Sequence, residues 1–457
     1  MSDDKPLWAG RFSKPPAPET YALTLSVQFD RRLAVQDVVA SIAHVQGLEQ
    51  AGLLSPGDAA SLIEALRDVG NEIEAGAYHF APTDEDVHMA VERGVTERLG
   101  ELGARLHAGR SRNDLVVTDL RLWLLESVAA LRALLTDLIK ALADRAEETA
   151  DHVVPGFTHN RPAQVVTMGF NLMGHAFALE RDIERFEDWT DRASVSPLGA
   201  GALATSTLGL DPSATADRLG FEREFENALD AVSDRDFVLE FVSAAAMCGM
   251  HVSRLAADLA RWSEPSLAWV ELDEAYSTGS SMMPQKRNPD VLELARGKTG
   301  RLFGDVVALS TLLAGLPLGY HRDLQEDKEP AFDAADTLLA ALPAVTGVVR
   351  TARFDAAEMR LAAMAEDLYA TDLAEALVSD GVPFRDAHRR TGELLKDLAE
   401  SGRGLRDLSD DEWTAFGLAG GAALLDPDRS VRARSIPGGP APDSVRAQAD
   451  ALRARLA

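Results

Sequence analysis

Three windows of this chain carry apolar side chains at nearly heptad spacing over lengths that ordinary globular helices do not reach. From Asp114 to about Ala150, one face collects Leu120, Leu124, Val128, Leu131, Leu135, Leu138 and Leu142. From Asp234 to Trp262, the stripe is Phe237, Phe241, Ala245, Cys248, Val252, Leu255, Leu259 and Trp262. From Asn288 to about Ala314, it is Leu292, Ala295, Thr299, Leu302, Val306, Leu309 and Leu313. Two further windows, about 163–193 and 327–352, follow the same period less cleanly. Rods of 28 to 37 residues would span roughly 42 to 55 Å, against a mean helix of about 11 to 12 residues. They need partners along their whole length, so the pattern predicts an elongated bundle whose remaining apolar stripes are covered by other subunits, an obligate homo-oligomer.

Around these rods the pattern is interrupted. Residues 1–112 read as an N-terminal domain of shorter helices broken at "AGLLSPGD" and "FAPTDED", where Pro, Gly and Asp punctuate the run. Residues 113–362 form the central long-helix domain. Residues 363–457 form a small C-terminal helical domain whose tail, "SIPGGPAPDSV", precedes a short final helix. Strand signals are weak and no repeat of 20 to 50 residues is present, so the predicted class is all-α with three domains.

Charge restricts the partners. Acidic side chains number 73 against 46 basic ones, a formal net charge of −27, which repels nucleic acid and anionic membrane over most of the surface. Seven of the cations are Lys and 39 are Arg, a balance that fits a protein kept soluble in a salty cytoplasm, where screening suppresses self-repulsion. Cys248 is the sole cysteine, so neither an intrachain disulfide nor a multi-cysteine metal site is available. The start, "MSDDKPLW", lacks a signal-peptide pattern and no run of about 18 apolar residues occurs. The expected location is cytoplasmic.

Polar residues concentrate where the rods begin. The stretch "GSSMMPQKRNP", Gly279 to Pro289, leads into the third window with Asn288 as N-cap, Pro289 at the helix start, and Asp290 and Glu293 in the first turn. Unpaired amides there, with Lys286 and Arg287, favour an anion such as a carboxylate. "HAGRSRNDLVVTD", His107 to Asp119, sets Arg110, Ser111, Arg112, Asn113 and Asp114 at the mouth of the first rod, donors suited to planar carboxylates. "GFTHNRPAQ" places Thr158 and His159 ahead of another helix expected behind Pro162. "TDEDVH" and "LGYHRDLQEDKE" add His88, Tyr320, Gln325 and Lys328. Sites between helix ends of a bundle suit small ligands, here a polyanionic one. No Walker, Rossmann, zincin or hydrolase-elbow motif is present, so a reaction without cofactor or metal is expected.

Taken together, these stretches resemble the fumarase and aspartase superfamily, whose shared loop reads Gly-Ser-Ser-x-Met-Pro-x-Lys-x-Asn-Pro. Within it, the chain is most similar to the argininosuccinate lyase family. That narrower resemblance rests on "LWAGRF" (Leu7 to Phe12), "DEDVHMAVE" (Asp84 to Glu92), "HAGRSRND", "DEAYSTGSSMMPQKRNPD" and "DLQEDKE" (Asp323 to Glu329), and runs from about residue 7 to 395. It implies a mainly helical, three-domain chain, a homotetramer built on a 20-helix core, and active sites each shared by three chains. The implied reaction is cleavage of argininosuccinate to arginine and fumarate, the last step of arginine biosynthesis.

The resemblance also assigns roles. Ser280 is the implied base, helped by Lys286 and nearby amides, and His159, oriented by Glu293 of another chain, the implied acid; the two labels are exchangeable at this stage. Implied substrate contacts are Ser26, Asp86, His88, Ser111, Arg112, Asn113, Thr158, Arg235, Ser281, Asn288, Tyr320, Gln325 and Lys328. One departure stands out: Asn160 and Arg161 occupy positions where the family commonly has Leu and Gln. Another fumarate-releasing lyase, such as adenylosuccinate lyase, and a non-catalytic crystallin-like protein are the competing expectations.

Overall fold

The computed structural model describes residues 17–456, so the "LWAGRF" stretch lies outside the described residues. The five long windows are five long helices: Arg112–Glu148, Met168–Ala193, Asp236–Trp262, Asp290–Leu313 and Lys328–Thr351. Their stripes are the buried faces. None of Leu120, Leu124, Val128, Leu131, Leu135, Leu138 and Leu142 is more than 1 % exposed, and every member of the Phe237 to Trp262 stripe is buried. On Asp290–Leu313 the stripe is buried at Leu292, Leu302 and Leu309, whereas Leu294, Phe303 and Val307 on other faces are exposed. The stretch Arg322–Thr351 is long and apolar enough to cross a membrane by composition, but most of it is buried in the protein, with Leu338, Leu342, Val345 and Val348 in the core.

The chain divides into two compact units whose boundaries fall inside the long helices. The first comprises residues through Leu131, Glu184–Ala246 and Arg301–Thr337. Here Ser55 caps the helix Pro56–Glu74 by accepting from Asp58 N at 3.1 Å, which realises the break read at "AGLLSPGD". The Trp123 and Phe332 rings meet edge to face at 4.7 Å, and the Arg32 guanidinium lies over both while it forms a two-pronged pair with Asp336 at 2.7 Å. Trp189 Nε1 donates to Phe237 O at 2.7 Å, so the large buried indole leaves no unmet donor.

The second unit comprises Arg132–Ile183, Met247–Gly300 and Leu338–Ala457. It contains a feature that the sequence reading missed. Instead of a helix directly behind Pro162, strands Val153–Thr158 and Arg161–Thr167 form an antiparallel hairpin, and the helix starts only at Met168. The reason is local: Val153, Val154, Val165, Val166 and Thr167 are β-branched, and Pro162 has no N–H for a helix but is tolerated in a two-stranded edge pair. Val153 and Val165 pack into a core with Leu373, Leu377 and Trp413. Two further short strand pairs, Val195–Ser196 with Arg223–Glu224 in the first unit and Val270–Glu271 with Arg353–Phe354 in the second, complete the small strand content among the described residues, which are otherwise mainly helical.

The hairpin leads into the Met168–Ala193 helix through a close backbone crossing. Gly169 N donates to Thr149 O at 3.2 Å, and a Cβ at Gly169 would stand 2.2 Å from Ala146 O. Gly169→Ala is therefore expected to destabilise the protein by about 1–3 kcal/mol, because the obstruction is backbone that cannot rotate away. Denaturant titration of this variant against Gly174→Ala, where the added methyl meets nothing within 4 Å, checks it.

Candidate active site

The first unit gathers eight of the expected contact residues around one cavity of about 120 Å³: Ser26, Asp86, His88, Arg112, Asn113, Tyr320, Gln325 and Lys328. Asp30, Val116 and Arg322 complete the lining and were not anticipated. Each reaches the cavity through a local device. Ser26 N donates to Glu85 O at 2.9 Å, and its hydroxyl donates to Asp30 Oδ2 at 2.5 Å. Asp30 Oδ1 in turn accepts from Val87 N at 3.0 Å, which joins the Val27–Asp30 turn to the start of the Val87–Leu99 helix. Asp86 is that helix's N-cap, with Oδ1 accepting from Met89 N at 2.8 Å, and its other oxygen lies 3.2 Å from Arg112 Nη1.

The mouth of the first rod is held by a reciprocal cap. Ser111 Oγ accepts from Asn113 N at 3.2 Å, while Asp114 Oδ1 accepts from Ser111 N at 3.0 Å. The second oxygen of the buried Asp114 accepts from Gly199 N and Gly201 N at 3.1 and 2.8 Å. These bonds fix the direction in which Arg112 and Asn113 leave the backbone. Asn113 Nδ2 donates to Ala202 O at 3.1 Å.

Lys328 is positioned by charge. It is 2 % exposed, and its ammonium lies 2.9 Å from Asp327 Oδ1. Arg235 Nε donates to the other Asp327 oxygen. Burial works to raise the Asp327 carboxyl, yet the Lys328 ammonium and the Arg235 guanidinium outweigh it and hold the group below the usual carboxylate range. Arg235 does not line the cavity; it braces the residue beside Lys328. Two acids, Asp30 and Asp86, thus face three cations, Arg112, Arg322 and Lys328, and the His88 imidazole. A cavity with both signs suits a ligand that carries ammonium or guanidinium as well as carboxylates.

The remaining expected residues belong to the second unit. Thr158 and His159 are exposed at the tip of the hairpin, where Thr158 pairs with Arg161. His159 and Asn160 take φ of 52° and 58°, the signature of a two-residue turn. The departure at positions 160 and 161 has a structural meaning: Asn tolerates this left-handed geometry, and Arg161 simply opens the second strand. Asn160 Oδ1 also accepts from Arg261 Nη1 at 3.3 Å.

The loop from Gly279 to Pro289 is closed by a bridge in which Thr278 N donates to Asn288 O at 3.1 Å and Asn288 N donates to Thr278 O at 2.8 Å. Asn288 is accordingly not the N-cap read from the sequence. Its backbone is engaged across the loop, and the helix starts at Asp290, whose carboxylate accepts from Thr278 Oγ1. Inside the loop, Ser280 Oγ accepts from Met282 N and Met283 N at 3.3 and 3.1 Å. Two amide dipoles aimed at one hydroxyl oxygen favour negative charge on it. Ser281 and Lys286 are exposed, and Glu293 in the first helical turn is exposed beside Arg296.

Behind the cavity, Asp37, His88 and Asp119 place ligand-type atoms within 4.8 Å of one another. The 2.6 Å separation of His88 Nδ1 and Asp37 Oδ2 is that of a hydrogen bond, so the spacing describes a proton-bridged cluster. Neither aspartate was singled out in the sequence. Asp37 sits in the first turn of the Ala34–Gln50 helix with no motif around it, and Asp119 was only the last letter of a dense stretch.

Comparison with known proteins agrees with this architecture. Residues 10–304 match the family model described as "Lyase", and residues 367–432 match the one described as "Argininosuccinate lyase C-terminal". Among solved structures, EDDS lyase in complex with formate superposes with a TM-score of 0.85 at 28 % identity, covering 97 % of this chain and 91 % of that one. A class II fumarase from Schistosoma mansoni shares the fold at a TM-score of 0.75 and 16 % identity, covering 86 % of this chain and 90 % of that one. Fold and loop define a lyase of the fumarase and aspartase superfamily. Argininosuccinate lyase of Frankia casuarinae is 51 % identical over 98 % of this chain and 97 % of its own length. That of Symbiobacterium thermophilum is 48 % identical over 97 % and 96 %. The chain belongs to the argininosuccinate lyase family.

Asp327→Asn is expected to cost about 3–5 kcal/mol, since it leaves two buried cations without their counter-charge. Because the Asp327 carboxyl is held low in the folded state, its contribution is full above the unfolded value of about 3.9 and fades as pH falls through the folded one. The gap in unfolding free energy between variant and parent should therefore stay constant from pH 7 to about pH 4 and begin to narrow below it.

Proposed function

We propose that this protein catalyses the reversible cleavage of argininosuccinate into arginine and fumarate, as a cytoplasmic enzyme of arginine biosynthesis. The observation that carries this reading is the full-length match, at about half identity, to chains named argininosuccinate lyase. The geometry supplies the chemistry. A base removes the proton from the carbon beside a carboxylate, the bond to the guanidino nitrogen breaks with its electron pair going to nitrogen, an acid protonates that nitrogen, and the double bond of fumarate forms. The intermediate carries extra negative charge in its carboxylate, so catalysis needs donors aimed at developing charge.

Ser280 is the base in this reading. An ordinary serine hydroxyl is too weak a base, and the two amides directed at its oxygen, with Lys286 nearby in sequence, are what its alkoxide form requires. His159, oriented by Glu293 of another chain, is the acid. In the first-unit cavity, Arg112, Arg322 and Lys328 pair with substrate carboxylates, while Asp30 and Asp86 take its ammonium or guanidinium; Ser26, Asn113, Tyr320, Gln325 and His88 complete the contacts. Ser111 and Arg235 act here as supports for neighbouring contacts, whereas Thr158, Ser281 and Asn288 belong to the hairpin and loop that carry the acid and the base. Every step is a proton transfer or a charge contact that side chains supply, so no cofactor enters the proposal.

The chain assembles as a homotetramer of three-domain subunits with active sites built from three of them. Support comes from exposed apolar side chains on the long helices, Leu294 at 61 %, Phe303 at 48 % and Val307 at 65 %, with Met247 and Met250 partly exposed on a second helix. The acid-rich, Lys-poor composition adds the expectation of activity that persists in molar salt.

Fumarate absorbance with argininosuccinate as sole substrate, in dilute and in molar salt, is expected to rise with the protein. Silence on argininosuccinate together with turnover of a different succinyl compound would refute the assignment. Ser280→Ala should lose about 10²–10⁴-fold in kcat while substrate still binds, as followed by calorimetry. Mixed tetramers of Ser280→Ala and His159→Asn chains should regain part of the activity that each variant lacks, provided subunit exchange is verified by mass.

A further inference from the structure

Of the groups behind the substrate cavity, the Asp37, His88 and Asp119 cluster has the most unusual bookkeeping. All three side chains are buried, at 1 %, 6 % and 0 % exposure, and they come from three different helices: Ala34–Gln50, Val87–Leu99 and Arg112–Glu148. His88 Nδ1 is bonded to Asp37 Oδ2 at 2.6 Å, which leaves Nε2 as the ring nitrogen without a hydrogen-bond partner among the described residues. His88 lines the cavity. Asp119 is different. Its nearer oxygen is 3.4 Å from the same Nδ1, and as a carboxylate it has no hydrogen-bond partner at either oxygen.

We propose that Asp37 is a positioning residue for the elimination: by accepting from Nδ1–H it holds His88 as an imidazolium whose Nε2–H is presented to a substrate carboxylate in the cavity. This rests on the reading of that cavity as the substrate site. Asp119 plays no part in recognition. Enclosed beside Asp37 with no donor of its own, it carries a proton and fills space as a neutral acid, offering its O–H to the Asp37 carboxylate. One imidazolium and one carboxylate then balance within the cluster, and a second buried anion is avoided.

The surrounding charges agree. Burial by itself would lower the His88 imidazole, but the Asp37 hydrogen bond and the carboxylates of Asp86, Asp37 and Asp30 more than offset it and raise the group. Burial, followed by the Asp37 carboxylate, pushes Asp119 well above the usual carboxylate range, against the pull of Arg110. From the remaining elements around the cavity, Lys328 and Arg112 add positive charge, and Asp30 is itself raised, chiefly by burial. The imidazolium thus stays charged at a pH where free histidine is neutral, and it is the form that attracts an anion.

The test compares two variants of the full-length protein, each of which preserves shape. Asp37→Asn keeps an amide oxygen for Ser41 Oγ, its other partner at 3.3 Å, but removes the charge. It is expected to raise KM for argininosuccinate at pH 8 by about 10- to 100-fold with kcat little changed. At pH 6 the difference should shrink, because the imidazole titrates lower without Asp37 and is charged again only in acid. Asp119→Asn replaces a neutral acid by a neutral amide, and its KM should follow the parent across pH 6 to 9. A parent-like KM profile for Asp37→Asn, or the same KM loss in both variants, would overturn the proposal. Should Asp37→Asn not fold, calorimetry of fumarate binding to the unaltered enzyme at pH 7.5, in buffers of different ionisation enthalpy, decides. No proton uptake assignable to His88 supports a resting imidazolium, whereas uptake of close to one proton that disappears in His88→Asn refutes it. An enzyme inactive on argininosuccinate would instead remove the functional reading beneath.

Discussion

The buried pairing of Arg235, Asp327 and Lys328 is the constraint on which the first unit's cavity depends. All three side chains are at most 3 % exposed, so each ion has lost nearly all its water. Such desolvation costs several kcal/mol per ion and is recovered only when geometry and hydrogen bonds are good. Here Asp327 contributes one oxygen to each cation, and the result is a lysine ammonium fixed at the cavity wall without freedom to swing. The arrangement links the start of the Asp236–Trp262 helix to the turn ahead of Lys328–Thr351. Its strength is needed because the cavity concentrates three cations and the His88 imidazole beside two acids, and loose side chains would satisfy one another instead of a ligand.

A similar logic governs the helix mouth at Arg112. Asp114 spends three backbone hydrogen bonds on holding Ser111, Gly199 and Gly201, and burial still pushes its carboxyl above the ordinary value. The reward is directional: the first turn of a long, rigid helix becomes a platform for Arg112 and Asn113. The proposed base and acid rest on different supports. Ser280 lies half-buried in a loop closed by the Thr278 and Asn288 bridge and otherwise largely exposed, and His159 is exposed on a two-residue turn. That exposure fits chemistry completed by neighbouring chains, and the uncovered apolar side chains of Asp290–Leu313 fit the same assembly.

Much of the fold was legible because a heptad stripe has only one low-energy use. Leu120 through Leu142 must all be hidden, and a helix is the only conformation that places them on one side. Most of the cavity was legible for a different reason, since Asp86, His88, Arg112, Asn113, Tyr320, Gln325 and Lys328 lie in dense polar stretches where capping and charge leave marks in the sequence, whereas Ser26 was implied by the resemblance alone. The hairpin at Val153–Thr167 was not. Its β-branched residues are few, and a proline followed by a periodic run reads equally well as a helix start. Asn288 was misplaced by the same ambiguity, because a good capping residue can also lend its backbone to a bridge. Asp30 and Asp37 carried no local signal, and Arg322 lay unremarked inside a quoted polar stretch, for their importance arises only from what stands opposite them.

What the sequence alone determined is the part of the molecule that follows from local periodicity and composition: long helices, buried stripes, polar helix mouths and an acidic surface. Tertiary structure decided which of those polar groups share a cavity, which aspartate pairs with Lys328, and that Asp37 rather than Asp119 holds His88. Periodicity acts through neighbours three and four residues away and can be read along the chain. Electrostatic partnership acts through space, between residues as remote as Arg235 and Asp327, and it exists only after burial has removed the water that would otherwise screen it.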